Sequence, residues 1–275
     1  MHNPLTLLYR LFLPAFHKTR ARFLASLLGL ALWSAQALAN GAAEAAPPET
    51  APPELKEMLR QIDAAANAQD IKVVIEFFSP NFSHSDGLNR ETMEKALVEL
   101  WKRYPKLNYR TELQSWQIDG QGIVAETVTY ITGVEQLPDR EMYLTATLRS
   151  RQRYENKKIV QQEILAEHSQ LTSGTNPPTL DIKLADRLPA GQEFTFDAII
   201  REPVGKQLLM GAALEEIVKP ENYFNATEVK LLPLSSGGLF KIGRAPTSPT
   251  SHWLSAIVVR HDGITAVTKR VQISK

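Results

Sequence analysis

The chain has 275 residues, with 31 Lys or Arg, 30 Asp or Glu and no Cys. This length exceeds what one hydrophobic core usually fills, so two domains are expected. The absence of Cys excludes disulfides, thiol catalysis and cysteine-ligated zinc. The nearly balanced charge gives no general electrostatic reason to bind nucleic acid, which is therefore excluded as an expected partner.

The first 39 residues have the pattern of a secretory signal peptide. Four basic residues and no acidic residue precede the apolar run from Phe23 to Trp33, which is shorter than the roughly 20 residues of a membrane-spanning helix. A small-x-small pattern then ends at Ala39, which predicts cleavage before Asn40. An uncleaved membrane anchor is the alternative. We expect the exported protein in the periplasm or another extracytoplasmic compartment, such as the thylakoid lumen if the source is cyanobacterial.

Residues 40–53 are rich in Ala and Pro and predict a flexible linker. Apolar residues at helical spacing follow, and Asp70 and Asn89 stand where a helix N-cap is expected. A proline follows both the second and the third apolar run and would end the helix there. The predicted helices are Glu54 to Gln69, Ile71 to Phe78 and Arg90 to Tyr104.

From Leu107 the apolar residues alternate with a period of two, which predicts strands. The strands predicted for the first half are Leu107 to Ile118, Ile123 to Gly133, Glu141 to Tyr154 and Lys158 to Ser169. Three helices followed by four strands predict an α+β cone, in which the helices pack on a curved antiparallel sheet. This domain would span residues 54–173.

A turn-rich linker is predicted at residues 174–178, and the pattern after it is that of short strands alone. Seven runs are predicted as strands between Leu180 and Ile273. Seven short strands with no helix predict an all-β sandwich domain over residues 179–275.

One stretch of the first half, DIKVVIEFFSPNFSHSDG at residues 70–87, combines a short helix, a proline stop and a polar turn with His84 and Asp86. Together with the preceding helix, the aromatic end of the third helix and the long strands, this stretch resembles the nuclear transport factor 2-like (SnoaL-like) superfamily over about residues 54–172. The resemblance implies a cone with an apolar pocket. The strand pattern of the second half, with Trp253 in its core, resembles a bacterial immunoglobulin-like sandwich.

The resemblance implies that the polar turn lies near the mouth of the pocket. The alternation of the last strand of the first half places Gln162, Ile164 and His168 on one face, from which His168 could reach the same pocket. No spacing typical of a metal site occurs, so no metal and no cofactor are expected. The residues predicted to line the pocket are Phe78, His84, Asp86, Trp101, Tyr130 and His168.

Three functions remain open at this stage. We expect a non-catalytic protein that binds a small apolar molecule or another envelope protein, with a homodimer as one possible assembly. The first alternative is a small-molecule isomerase, cyclase or dehydratase with His84 and Asp86 as acid and base, because burial in an apolar cone can tune the pKa of such groups. The second alternative is an envelope scaffold that stays tethered to the membrane by the uncleaved N-terminal segment.

Overall fold

The computed structural model describes residues 45–205, 208–225, 227–234 and 237–275. The predicted signal peptide and the cleavage site at Ala39 and Asn40 lie outside these residues. Three helices and thirteen strands are present among the described residues. The helices are α1 (Pro53–Asn67), α2 (Ile71–Glu76) and α3 (Arg90–Arg103), and the strands are β1 (Phe78–His84), β2 (Lys106–Asp119), β3 (Gly122–Gln136), β4 (Glu141–Glu155), β5 (Lys158–Gly174), β6 (Leu180–Lys183), β7 (Arg187–Pro189), β8 (Glu193–Ile200), β9 (Met210–Ile217), β10 (Leu232–Pro233), β11 (Gly238–Arg244), β12 (Thr250–Arg260) and β13 (Gly263–Ser274).

The helices begin where the sequence predicts them. The Asp70 side chain accepts a hydrogen bond from the Val73 backbone at the start of α2. Asn89 and Thr92 form a reciprocal capping box at the start of α3. Each cap satisfies backbone N–H groups that have no partner inside the helix. None of the helices in the described part of the chain combines the length and the apolar character that crossing a membrane requires.

The strands form one large sheet and one small sheet. The large sheet has ten strands, with a main path β10-β9-β12-β13-β5-β4-β3-β2 and with β1 and β7 attached to β5 and β13. The small sheet has the order β11-β8-β6. It packs on the second half of the large sheet through a core that includes Phe196, Leu254 and Val271. A separate core under the helices includes Leu55, Trp101 and Ala125.

The predicted fold class is wrong. About 55% of the described residues are in strands and 19% in helices, so the molecule is dominated by antiparallel sheet and is not an α+β cone joined to a sandwich. The strands of the first half also continue into those of the second half, because β13 pairs with β5 from Lys269 opposite His168 to Gly263 opposite Gly174. Residue spacing could not predict this pairing, since the two strands lie almost a hundred residues apart.

The segment around Pro80 forms a strand. We expected the second helix to extend to Phe78, but α2 ends at Glu76 and the chain continues as β1, which pairs in parallel with β5. Phe78 and Phe82 are both buried and their rings meet edge to face, with centroids 4.8 Å apart. Burial of these two rings under the helices therefore outweighs the helical spacing of the apolar residues, and the segment forms a strand.

Side chains of α1 cover the free edge of β2. Asn67 accepts a hydrogen bond from the Tyr109 backbone N–H at 2.6 Å and donates to the Tyr109 carbonyl at 2.9 Å. Asp63 accepts from the backbone N–H and the hydroxyl of Thr111 at 2.6 and 2.7 Å. Further along, Ala46 pairs with Trp116 through two backbone hydrogen bonds. These contacts replace a neighbouring strand and shield an edge that would otherwise invite aggregation.

The connection between the halves is attached to the β12–β13 hairpin. The Asn176 N–H donates to the Asp262 carbonyl at 3.0 Å, and the Thr265 hydroxyl donates to the Pro178 carbonyl at 2.6 Å. Gly174 has a φ of +96°, and a Cβ at this position would lie 2.4 Å from the Asp262 carbonyl oxygen. The close approach of the two backbones therefore requires glycine here.

The cover on β2 can be tested with Asp63→Ala. We expect this variant to lose about 2 kcal/mol in the free energy of unfolding, because two hydrogen bonds to a carboxylate disappear and the Thr111 N–H loses its partner. Urea denaturation followed by circular dichroism measures the change. Gln61→Ala on the exposed side of the same helix should change stability by less than about 0.5 kcal/mol. Equal losses in the two variants would contradict the proposed cover.

Candidate functional site

The candidate site is a buried ion pair between the two halves. The Arg270 guanidinium of β13 donates Nη1–H to Asp86 Oδ1 at 2.9 Å and Nη2–H to Oδ2 at 2.8 Å. The side chains of Arg270 and Asp86 are 1% and 3% exposed. The two parallel hydrogen bonds give a fixed geometry and compensate charges that have been removed from water.

A tight turn after β1 holds Asp86 in place. The Gly87 N–H donates to the His84 carbonyl at 2.9 Å, and the His84 N–H donates to the Leu88 carbonyl at 3.1 Å. Gly87 has a φ of +84°, which favours glycine at this position. The Ser85 hydroxyl donates to Asp86 Oδ1 at 3.0 Å and accepts from the Ile164 N–H at 3.2 Å. The turn is therefore bound to β5 as well as to Arg270.

A second carboxylate completes the surroundings of Arg270. Glu167 Oε2 accepts from Nε–H and Nη2–H of Arg270 at 3.1 and 3.0 Å. The same oxygen accepts from the Trp253 indole N–H at 2.9 Å. Glu167 lies at the end of the β5 and β13 pairing, so the register of these strands brings it beside Arg270. The guanidinium thus bridges one carboxylate from the turn and one from the sheet.

A short 3₁₀ segment, Pro220–Tyr223, closes the cluster from the side of the second half. The Tyr223 hydroxyl donates to Asp86 Oδ2, and its ring meets the Trp253 ring edge to face, with centroids 5.2 Å apart. Next to it, the Lys95 ammonium of α3 lies 4.8 Å from the centre of the Phe224 ring. The segment therefore contacts both halves.

The ion pair shifts the pKa values of its members. Burial alone would raise the pKa of Asp86, but the hydrogen bonds and the charge of Arg270, with the Tyr223 hydroxyl, outweigh it and lower that pKa. Burial alone would lower the pKa of Arg270, whereas Asp86 and Glu167 raise it. Burial, followed by the charge of Asp86, raises the pKa of Tyr223. Asp86 is thus a carboxylate and Tyr223 a neutral donor at neutral pH.

His84 lies beside the pair but does not complete an acid–base dyad. Its Nδ1 accepts the Asp86 backbone N–H at 3.2 Å and lies 3.7 Å from Asp86 Oδ2. Burial lowers the pKa of His84, and the Arg270 charge opposes the raising effect of Asp86. With Nδ1 used as an acceptor and only 3% of the side chain exposed, His84 is a neutral, enclosed imidazole.

The cluster joins the two halves, and its polar groups are hydrogen-bonded to one another. Both oxygens of Asp86 accept hydrogen bonds from Arg270, so proton transfer to a substrate would first require breaking a buried ion pair. The described residues contain no group of His, Asp and Glu side chains that could hold a metal ion. The geometry is that of a structural clasp.

Of the six residues predicted to line a pocket, the structure places His84 beside Asp86 and places Phe78 and Trp101 in one packed core. Phe78 and Trp101 are buried in the packed core under the helices, where the Trp101 indole N–H donates to the Tyr109 hydroxyl at 2.9 Å. Tyr130 lies on the other face of β3 from buried Ala125, with the Arg110 guanidinium 4.4 Å from its ring. The predicted pocket does not form around these six side chains.

His168 lies on the outer face of the sheet because of a bulge. Ser150 of β4 pairs with Ile164, whereas Arg149 pairs with Ala166, so Leu165 is an extra residue on β5. The extra residue reverses which side chains face the helices beyond it. His168 therefore lies opposite Thr147 and is exposed, while Ile164 is buried. The expectation of a common face for Ile164 and His168 is wrong for this reason.

Two of the clefts on the described surface are open to solvent and do not form enclosed pockets. One, of about 490 Å³, lies between α1 and the edge of β2 and is lined by residues such as Lys56, Asp63 and Gln114. The other, of about 440 Å³, is polar and reaches from Ser85 and Asp86 to Ser251. The second cleft lies at the junction of the halves.

Sequence reasoning missed Arg270, Glu167 and Tyr223 as members of this site. Arg270 occurs in a strand pattern that reads as ordinary alternation, VTKRVQIS, with no motif around it. The charge of Arg270 was the one signal in the sequence, because an arginine in an apolar strand is either exposed or paired with an acidic group. In the structure this arginine lies opposite Trp253.

Comparisons with known proteins cover parts of the chain. A family model described as "Domain of unknown function (DUF8623)" matches residues 175–274. Among curated proteins, nothing matches the chain.

Solved structures similar to part of the chain include Bd1075 of Bdellovibrio bacteriovorus, at 16% identity and a TM-score of 0.30 over 40% of this chain and 38% of that chain. A "Putative Scytalone Dehydratase" from Novosphingobium aromaticivorans is similar at 9% identity and a TM-score of 0.35, over 40% of this chain and 80% of that chain. A protein with a ketosteroid isomerase-like fold from Catenulispora acidiphila is similar at 13% identity and a TM-score of 0.29, over 39% of this chain and 83% of that chain. The neighbours thus include folds of the nuclear transport factor 2-like kind over about 40% of this chain. Since none of these three scores reaches 0.5, the three structures carry no argument about the activity of this chain.

The contribution of the ion pair can be measured with Asp86→Asn. We expect a loss of about 3–5 kcal/mol in the free energy of unfolding, because a buried guanidinium loses its main counter-charge. The double variant Asp86→Leu with Arg270→Met should recover most of this loss, since it removes both charges. Chemical denaturation of the native protein, Asp86→Asn, the double variant and its two single variants, Asp86→Leu and Arg270→Met, tests both statements. A double variant as unstable as the sum of its single variants would contradict the pairing.

Stability should fall below pH 6.5 in part because of His84. The pKa of His84 is lower in the folded protein than in the unfolded chain, so its contribution is present above the unfolded value of about 6.5 and is lost as pH falls towards the folded value. His84→Asn keeps an acceptor for the Asp86 N–H and removes the titration. In this range His84 contributes a slope of up to about 1.4 kcal/mol per pH unit to the free energy of unfolding, and the variant should lack that contribution. Denaturation at pH 7, 6 and 5 measures the slope for both proteins. An unchanged slope would contradict this assignment.

Proposed function

We propose that the protein is a non-catalytic, exported protein whose role is to bind another protein of an envelope compartment. The observation that carries this proposal is the use of Asp86. The side chain predicted as an acid or base is bonded through both oxygens to Arg270, and the pair joins the two halves. The polar groups at this position are therefore engaged in holding one rigid unit that presents its sheet surfaces.

The described surface supports a binding role. The outward-facing side chains of the small sheet include Phe240 and Ile242, which are 63% and 70% exposed. Two exposed large apolar side chains at alternate positions of one strand lie side by side on the same face of the sheet. Exposed apolar groups of this kind are typical of surfaces that contact a partner. The outer face of β3 and β4 is a further surface on which a second copy could pair, and the homodimer stays a proposal.

The small apolar ligand predicted as an alternative partner has less support. The core under the helices is filled by buried side chains such as Phe78, Phe82 and Trp101. A ligand in this place would have to displace one of them, at a cost comparable to that of opening a core. The immunoglobulin-like resemblance of residues 179–275 stays a prediction.

The enzymatic alternative rests on His84 and Asp86 as acid and base. Some structural neighbours are described as enzymes, for example the scytalone dehydratase. No specific contact among the described residues favours this alternative, because the carboxylate is occupied and the imidazole is enclosed. Export and cleavage before Asn40 belong to the proposal, and the membrane-tethered scaffold is its variant with an uncleaved N-terminal segment.

Native mass spectrometry of the protein purified from its own host tests the proposed function. We expect a mass that corresponds to the chain from Asn40 onwards together with a second polypeptide. A bound small molecule would favour the ligand alternative, and a chain that retains residues 1–39 would favour the tethered scaffold. If neither a protein partner nor a second copy is retained after mild cross-linking, the proposed binding role is wrong.

A further inference from the structure

The large sheet divides into two branches close to the buried ion pair. Strand β13 pairs with β5 only from Lys269, opposite His168, to Gly263, opposite Gly174. Beyond Lys269, β13 pairs in parallel with β7, whereas the other branch is formed by β5 with β1 and β4. The polar cleft of about 440 Å³ is lined by residues of both branches, and we call it the fork cleft.

Three polar side chains form a row along one wall of the fork cleft. Gln272 lies opposite Arg187 in the pairing of β13 with β7, and opposite Ser251 in the pairing with β12. Residues at opposite positions share a face of the sheet, and Gln272 is two residues from Arg270, so the row lies on the face of the ion pair. The Gln272 amide donates to the Ile164 carbonyl of β5 at 3.1 Å and so links the two branches.

Arg187 has no counter-charge in the fork cleft. Within the described residues it makes no hydrogen bond and no ion pair, whereas every other described arginine makes at least one. The two acidic groups that line the cleft are engaged elsewhere. Asp86 bonds through both oxygens to Arg270, and Glu163 bonds to Arg151 at 3.2 Å. The cleft therefore has one positive charge to offer to a ligand.

The cleft also offers hydroxyl groups. Thr250, Ser251 and Ser274 line it, and in the described part of the chain their hydroxyls have no hydrogen-bond partner. A hydroxyl can donate to an anion and accept from a hydroxyl of a ligand. The planar guanidinium matches the two oxygens of a carboxylate. One cation balances one carboxylate, whereas a phosphate dianion would keep an excess negative charge beside Asp86 and Glu163.

We propose that the fork cleft binds a small hydroxylated organic acid. The carboxylate of the acid accepts two hydrogen bonds from the Arg187 guanidinium, and its hydroxyl groups bond to Ser251 and Thr250. The volume of the cleft lies within the range of about 300–1,000 Å³ that small-molecule sites occupy. This inference goes beyond the proposed function, because the site needs no protein partner. It also differs from the apolar ligand discussed above, because the cleft is polar and lies outside the core under the helices.

The experiment uses the purified protein labelled with ¹⁵N and titrated with sodium D-gluconate at constant ionic strength. Sorbitol is the matched control ligand, because it has the same six-carbon chain of hydroxyl groups without the carboxylate. We expect gluconate to shift amide signals saturably in the NMR spectrum, with a dissociation constant on the order of 1 mM. Sorbitol should cause no saturable shifts. Inorganic phosphate should bind more weakly than gluconate.

Three variants locate the site. Arg187→Gln should weaken gluconate binding at least about ten-fold, because it removes the charge and the paired donors. Arg187→Lys keeps the charge but not the planar geometry and should weaken binding about three-fold. Arg201→Gln removes another exposed arginine of the second half, which lies outside the cleft, and should bind like the native protein. Because Arg187 is exposed and unpaired among the described residues, its variants should unfold at the native temperature, which circular dichroism checks.

The outcomes separate this inference from the proposed function. No saturation by gluconate up to about 50 mM, or equal binding of sorbitol, overturns the site. Equal gluconate binding by Arg187→Gln overturns its assignment to the fork cleft, and tighter binding of phosphate overturns the choice of a carboxylate. If Arg187→Gln loses a protein partner found by native mass spectrometry and gluconate does not bind, the carboxylate belongs to a polypeptide and the small acid is wrong. Gluconate binding without any native protein partner supports this inference and contradicts the proposed function.

Discussion

The structure depends on the ion pair that Arg270 forms with Asp86 inside the protein. A guanidinium that is 1% exposed has lost its hydration, and only fixed carboxylates can compensate for that loss. One carboxylate comes from the turn after β1 and the other, Glu167, from β5. The pair therefore connects residues separated by most of the described chain. If one partner is missing, the other remains as an uncompensated charge at the junction of the halves.

The position of the ion pair follows from the large sheet, which is covered on opposite faces in its two halves. In the first half the helices cover one face, where Ala125 and Thr127 are fully buried. In the second half the small sheet covers the other face, where Val271 of β13 is buried. Arg270 is next to Val271 and so points to the side of the helices, where Asp86 and Tyr223 lie. The transition between the two kinds of cover occurs at β5 and β13, and the buried charges lie at this transition.

The edge strand β2 of the large sheet and the edge strand β11 of the small sheet differ in what covers them. Helix α1 runs beside β2 and supplies amide and carboxylate groups that satisfy its backbone. No described helix runs beside β11, whose apolar side chains stay in water. The Lys241 ammonium on the inner face of β11 bonds to Glu215 of β9 at 2.9 Å.

The sequence by itself determined the local elements. The caps at Asp70 and Asn89 and the change of period near Leu107 depend on neighbours within a few residues, and the helix starts and the long strands lie close to their predicted bounds. Only the tertiary structure decided the fold class, the strand at Phe78–His84, the extra residue at Leu165 and the partner of Arg270. Each of these depends on which distant strands pair and which faces become buried, and spacing along the chain contains no measure of those long-range contacts.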